Sequence, residues 1–376
     1  MLTSLRIQNF RSLRNLSVEG LTRVSLLVGA NNTGKTSVLE AAELVLAGSS
    51  PTVVTRAPTR RGEVNVRIED GSVVSRLEIA HLFLGHEIKH RPVFRVEALA
   101  PERCFFEGRI EPYRPQGSAT YFSPQATEIP APTFSNDLDA PLGLTVESDR
   151  FRATSQPITD QGLLPSTHSS GLIQGILDVW GKLSSPTHPH VQFVQTSAPD
   201  LSRIRELWDG VVLTPEEALV TQILRIIEPD IERIAALSGG PGGSAASIFI
   251  KLKDSDQRIP LGSMGEGIHR LLVLSLNLVN AAGGYILVDE IDTGLHHSVM
   301  VKMWRLVTEA AKRLNVQVIA TTHSLDCVRA LASLYEDHRE LESVISVHRL
   351  ERGAEKNITY SADELLAAAE HQMEIR

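Results

Sequence analysis

Apolar residues recur along this chain in two rhythms, and the rhythms predict its elements. Val24, Leu26, Leu27 and Val28 form a short apolar run of the kind a strand buried on both faces requires. Val38, Leu39, Ala41, Ala42, Val45 and Leu46 then return at helical spacing, and Gly48-Ser49-Ser50-Pro51 ends that helix. Ahead of the run, Leu5 to Val18 alternates apolar and polar in two bursts around Asn9-Phe10-Arg11-Ser12, which predicts two strands. Residues 64–68 and 73–79 flank Glu69-Asp70-Gly71-Ser72 as the arms of a β-hairpin.

From 101 to 190 prolines recur and periodicity weakens, so this stretch reads as a variable insertion. Order resumes with a strand at 191–195. Thr214-Pro215-Glu216-Glu217 predicts a helix start with an N-cap, a first-turn proline and a capping-box glutamate, and Ile223, Ile226 and Ile227 continue on one face. A glycine-rich turn at 238–244 precedes a strand at 248–252, and residues 261–267 open a long apolar helix that runs to about 282. A continuous apolar strand at 285–288 ends in Asp289-Glu290. A helix over 296–314 leads to a second buried strand, 316–320, ending at Thr321-Thr322-His323-Ser324. A strand near 344–347 and a helix opened by the capping box Ser361-Ala362-Asp363-Glu364 close the chain. This βαβ alternation predicts an α/β fold with a mainly parallel core sheet.

Composition narrows the class. At 376 residues the chain has room for about two or three domains, with an ordinary apolar fraction of 42%. Two cysteines lie far apart and no secretory apolar stretch follows Met1, which predicts free thiols and a cytoplasmic setting. The longest apolar stretch, within 271–279, is too short to span a bilayer, so no membrane role is expected. A net charge of −8 argues against a protein that coats nucleic acid. The mixed charges from Arg56 to Arg95, including Arg60 and Arg61, read as a solvated face, which leaves DNA as a candidate local partner. His81, His86 and His90 lack the spacing of a metal site.

The chemistry starts at Gly29 to Thr36, which fits G-x-x-x-x-G-K-[ST] between a strand and a helix. Glycines at 29 and 34 allow close backbone approach to phosphate, and the loop's N–H groups collect at a helix N-terminus. Asn31, Asn32, Thr33, Gly34, Lys35, Thr36 and Ser37 are therefore the expected nucleotide-binding residues, with Lys35 on the β- and γ-phosphates and Thr36 on Mg²⁺. Asp289 is the expected second anchor for the ion, and Glu290 the general base that polarises water.

Together with the glycine loop, Ser263-Met264-Gly265-Glu266, Asp289-Glu290, Asp292-Thr293-Gly294-Leu295-His296 and His323 resemble an ATP-binding-cassette (ABC) ATPase of the branch that holds SMC, RecF-like and OLD (overcoming lysogenization defect) proteins. The resemblance covers roughly 1–47 and 190–376. It is strongest to stand-alone OLD-type ATPases, since only about fifty residues follow His323, too few for the TOPRIM nuclease domain of OLD nucleases. It implies an ABC-type head with an antiparallel β subdomain and a helical signature-bearing subdomain. The whole chain would be one such head, with an N-terminal lobe at 1–100, the insertion at 101–190 and the signature and Walker B lobe at 191–376.

In such proteins two heads close around two ATP molecules. The resemblance implies that Ser263, Gly265 and Glu266 reach the nucleotide of a second copy, although Met264 stands where the cassette signature carries glycine. It implies that His323 contacts the γ-phosphate, that Asp292 links the two sites, that Gln195 (or Gln192) senses Mg²⁺ and nucleotide, and that Arg11 lies near the nucleotide. The expected function is an ATPase that forms a homodimer or higher oligomer around ATP and gates a separate effector or nuclease in phage defence or DNA metabolism. A slow nucleotide-sensing scaffold and a RecF-like repair ATPase are the alternatives, and a transporter's ATPase subunit ranks below both.

Overall fold

The computed structural model describes residues 1–69, 72–99, 102–113, 141–159, 162–163, 190–197, 199, 201–237 and 247–371. The chain divides into two compact units, one made of Met1–Ser4, Val18–Leu39 and Pro189–Arg376, the other of Leu5–Ser17 and Glu40–His188.

The first unit is built on a six-stranded sheet in the order Val191–Val194, Tyr285–Val288, Gln317–Thr321, Val24–Val28, Ile345–Arg349, Ile358–Tyr360. The first five strands run parallel and the last antiparallel. The apolar runs at 24–28 and 317–321 are buried at every position, as strands flanked by sheet neighbours on both sides and covered on both faces are. One polar residue inside is fully matched: buried Gln317 accepts from Leu2 N–H at 2.7 Å and donates to the carbonyls of Leu2 and Thr22. Leu26, Val288 and Ala320 of the sheet share one core with Leu271, Trp304 and Leu331 of the helices Glu266–Asn280, His297–Arg313 and Leu325–Asp337. Parallel pairing brings the carboxyl ends of five strands to one edge, and that edge carries the loop at 29–36, Gln195, Asp289 and Thr322.

A small antiparallel sheet of Ile231–Leu237, Ser247–Leu252 and Arg258–Pro260 precedes the helix that opens at Glu266. The helix start expected at Thr214 lies three residues later. The helix is Glu217–Leu224 with no side-chain cap. Leu213 adopts a left-handed φ of 63°, the Thr214 hydroxyl donates to Val211 O at 2.6 Å, and the Glu217 carboxylate accepts from Leu213 N–H. Ile226 and Ile227 lie past the helix end. The turn expected at 238–244 is outside the described residues.

The second unit rests on a nine-stranded sheet, ordered Leu13–Glu19, Ser4–Phe10, Val93–Ala98, Cys104–Pro112, Leu142–Ser148, Phe151–Thr159, Gly162–Leu163, Ser72–Leu77, Val64–Glu69. The hairpin read from 64–79 is present in antiparallel register. The stretch read as an insertion supplies strands at 104–112, 142–148, 151–159 and 162–163, and its segments 114–140 and 164–189 are outside the described residues. Phe106, Ile110, Leu144 and Val146 point inward, while Arg109 pairs outward with Glu107, Glu111 and Glu147. The buried rings of Phe10, Phe83 and Phe106 all pack on Phe94, at centroid distances of 5.2 to 6.4 Å.

Candidate functional site

The loop after Val24–Val28 turns through backbone that few residues tolerate. Gly29 has φ 151°, Asn32 63° and Gly34 93°. A Cβ at position 29 would stand 2.5 Å from the carbonyl oxygen of Leu350, so only glycine fits there. The helix Lys35–Leu46 begins directly afterwards, with Val38 N–H on Gly34 O. Asn31 and Asn32 are exposed, Thr33 and Thr36 half-buried, Lys35 and Ser37 buried. The Lys35 ammonium donates to Gly29 O at 2.7 Å and to Ala30 O at 2.8 Å. Burial lowers its pKa, and the nearby charges of Glu290 and Asp289 oppose that fall.

Asp289 is the hub of the strand edge. Thr36 Oγ1 donates to its carboxylate at 2.9 and 3.1 Å, and Thr321 Oγ1 donates to Oδ1 at 2.7 Å. Its neighbour Glu290 has a left-handed φ of 48°, with its N–H on Thr321 Oγ1 at 2.9 Å. Glu290 Oε1 lies 2.9 Å from His323 Nδ1, and both side chains keep access to solvent. Asp292 accepts from Thr322 Oγ1 at 2.6 Å, and the same hydroxyl accepts from Ser324 N–H at the start of Leu325–Asp337. The structure therefore brings together Lys35, Thr36, Asp289, Glu290, Asp292 and His323.

Gln195 follows its strand beside Asp289, since Val194 pairs with Val288. Gln192 lies within the strand and accepts from Arg203 at 3.4 Å. Ser263, Gly265 and Glu266 are exposed at the start of Glu266–Asn280, where Gly265 takes φ 87° and no side chain caps the helix. Among the described residues, no hydrogen bond or ion pair joins these three to the loop at 29–36. Arg11 belongs to the second unit, where Nε lies 2.6 Å from Glu40 Oε2 and Nη1 donates to Glu63 at 2.8 Å.

Two features escaped the sequence reading. Glu40 and Glu43 look like the polar face of the loop helix, yet they are 2% and 3% exposed. Arg61 pairs with Glu40 at 2.7 Å, and Arg60 and Arg56 pair with Glu43. The arginines read as a solvated face are thus tied to buried carboxylates. The second feature is Arg270, whose guanidinium donates to the main-chain carbonyls of Gln195, Asp289 and Glu290. Its signal was available: a charge among Ile268, Leu271 and Leu272 on an apolar helix must find acceptors.

Among the described residues no three His, Cys, Asp or Glu side chains cluster as a metal cage, and no helix is long and apolar enough to cross a membrane. A family model described as "AAA domain, putative AbiEii toxin, Type IV TA system" matches residues 24–326. The chain is 21% identical over 338 residues to an ATP/GTP phosphatase of Helicobacter pylori, covering 88% of this chain and 87% of that protein. It is 23% identical over 346 residues to an OLD nuclease of Thermus scotoductus, covering 86% of this chain but only 59% of the nuclease. Among solved structures, the SmcHead bound to the C-winged helix domain of ScpA aligns with a TM-score of 0.48 at 16% identity, over 95% of this chain and 97% of that one.

Proposed function

The chain belongs to the AAA-domain family described as putative AbiEii toxin, Type IV TA system, as an ABC-like ATPase of the OLD and SMC branch, and on that premise we propose that it binds and hydrolyses ATP. The observation that carries the reading is the meeting of Lys35, Thr36, Asp289, Glu290 and His323 at the carboxyl ends of neighbouring parallel strands. The donor set fits Mg²⁺. Thr36 Oγ1 and the Asp289 carboxylate are hard oxygens 2.9 Å apart, and Mg²⁺ in phosphate sites uses one or two such ligands beside the phosphates rather than a protein cage. Thr36 and Asp289, with Gln195 next to them, would hold the ion, which supplies charge neutralisation to the phosphates.

Each side chain then has a task. The loop N–H groups and Lys35 hold the phosphates, and phosphate adds negative charge that offsets the burial of Lys35. Glu290 takes the proton of the attacking water as general base, and His323 steadies that carboxylate and meets the γ-phosphate. Ser263 and Gly265, exposed at a helix N-terminus, serve the nucleotide of a second copy, with Glu266 beside them and Asp292 linking the two sites. Both units work as one head in the cytoplasm, and closure of the pair gates a separate effector or nuclease in phage defence or DNA metabolism. The relative named as an OLD nuclease supports that setting.

The test is steady-state ATP turnover of the wild type beside Lys35→Ala and Glu290→Gln. The proposal expects both variants to lose about a hundredfold or more in rate. A wild type no faster than Lys35→Ala contradicts it.

A further inference from the structure

Arg270 lies between Ile268 and Leu271 in the helix Glu266–Asn280 and is 7% exposed. Withdrawing a guanidinium from water is costly unless its donors are matched. Among the described residues Arg270 makes no ion pair. Its two terminal nitrogens are matched by main-chain carbonyls instead: Nη1 donates to Gln195 O at 2.5 Å and Nη2 to Asp289 O and Glu290 O at 2.7 Å each, while Nε is buried without a hydrogen-bond partner among the described residues. The acids Asp289, Asp292, Glu290 and Glu266 surround it at longer range.

Those carbonyls are the ones that define the site. Glu290 holds a left-handed backbone that residues with a side chain seldom adopt, and such strain persists only where the surroundings over-determine it. Two clamps do so. Thr321 Oγ1 accepts from Glu290 N–H, and Arg270 holds the carbonyls on either side of the Glu290 amide-to-carbonyl segment. A third bond, to Gln195 O, fixes the end of the adjoining strand in the same frame.

We propose that Arg270 is a positioning residue for ATP hydrolysis, which holds the left-handed turn at Glu290 through the carbonyls of Asp289 and Glu290 and so aims the Glu290 carboxylate at the attacking water. The role rests on the reading of Glu290 as general base. Arg270 touches no reacting atom. Its fork spans two strand ends at once, which a lysine ammonium cannot reproduce.

The experiment is a double-mutant cycle between Arg270 and Glu290, with kcat, KM, affinity for a fluorescent ATP analogue and thermal melting measured on each full-length protein. Arg270→Gln lowers kcat by about a hundredfold, the cost typical of misplacing a catalytic group, while KM and analogue affinity change less than about threefold. In the Glu290→Gln background the same substitution changes kcat by less than about threefold, because its target is already gone. Arg270→Lys falls between, and it carries the cycle if Arg270→Gln fails to show a cooperative melt. A wild-type kcat in folded Arg270→Lys and Arg270→Gln, or an equal loss in the Glu290→Gln background, overturns the role. A wild type no faster than Lys35→Ala overturns the ATPase reading itself and this role with it.

Discussion

Thr36 Oγ1 donates to Asp289 Oδ1 at 2.9 Å, across 253 residues of chain. The bond ties the first turn of the loop helix to a strand two places away in the sheet, and Thr321 on the strand between them donates to the same oxygen. Asp289→Asn keeps the shape and removes the charge that a divalent cation needs. It should weaken Mg²⁺-dependent ATP binding by about tenfold to a hundredfold and leave metal-free binding nearly unchanged. Titration calorimetry with and without Mg²⁺ reads the difference. Equal affinity of both proteins for Mg²⁺–ATP would remove Asp289 from the ion site.

Glu40 stands between two arginines, with Arg11 at 2.6 Å and Arg61 at 2.7 Å. Removing one partner of a buried pair leaves the other charge uncompensated. Glu40→Ala should therefore lower stability by about 3 kcal/mol in urea denaturation. Arg56→Ala, at a half-exposed position 3.5 Å from Glu43, should cost about 1 kcal/mol or less. The contrast matters for any DNA-binding assay, since replacing Arg60 and Arg61 disturbs these pairs as well as surface charge.

His348 is fully buried beside the loop strand, with Nε2 2.8 Å from Ser346 Oγ and Nδ1 2.9 Å from Asn357 Nδ2. Burial depresses its pKa to about 4 from an ordinary 6.5. The unfolded chain thus binds the extra proton first as pH falls. The stability contribution is complete above about pH 6.5 and declines as pH drops through 4, by about 3 kcal/mol in all. Melting temperatures from pH 7.5 to 4.5 should fall less steeply in His348→Gln than in the wild type. Parallel slopes would show that another group carries the acid sensitivity.

The parallel sheet was readable because strands such as Tyr285–Val288 and Gln317–Thr321 are buried on both faces and so appear as unbroken apolar runs ending in chemistry. The loop at 29–36 and the capping box at Ser361 were legible for a local reason: their function depends on neighbours in sequence. Ile231–Leu237 was not, because Ile231 and Ile234 fall at helical spacing and only pairing with Ser247–Leu252 makes the segment a strand. Likewise the strands at 104–112 and 142–148 sit on either side of a proline-rich stretch that dominates the local composition. Glu40 and Glu43 were illegible in their roles, since their partners are remote in sequence, and Arg270 announced a buried charge without naming the carbonyls it would find.

On the proposed mechanism one chain holds only part of a working site, with Ser263 and Gly265 supplied by a second copy. Light scattering of Glu290→Gln with ATP and Mg²⁺ tests it most directly. The expected mass is that of one chain without nucleotide and of at least two chains with ATP, returning to one chain when Ser263→Arg is added, since a bulky cation at the helix N-terminus blocks the trans phosphate contact. A mass that ATP leaves unchanged would contradict it.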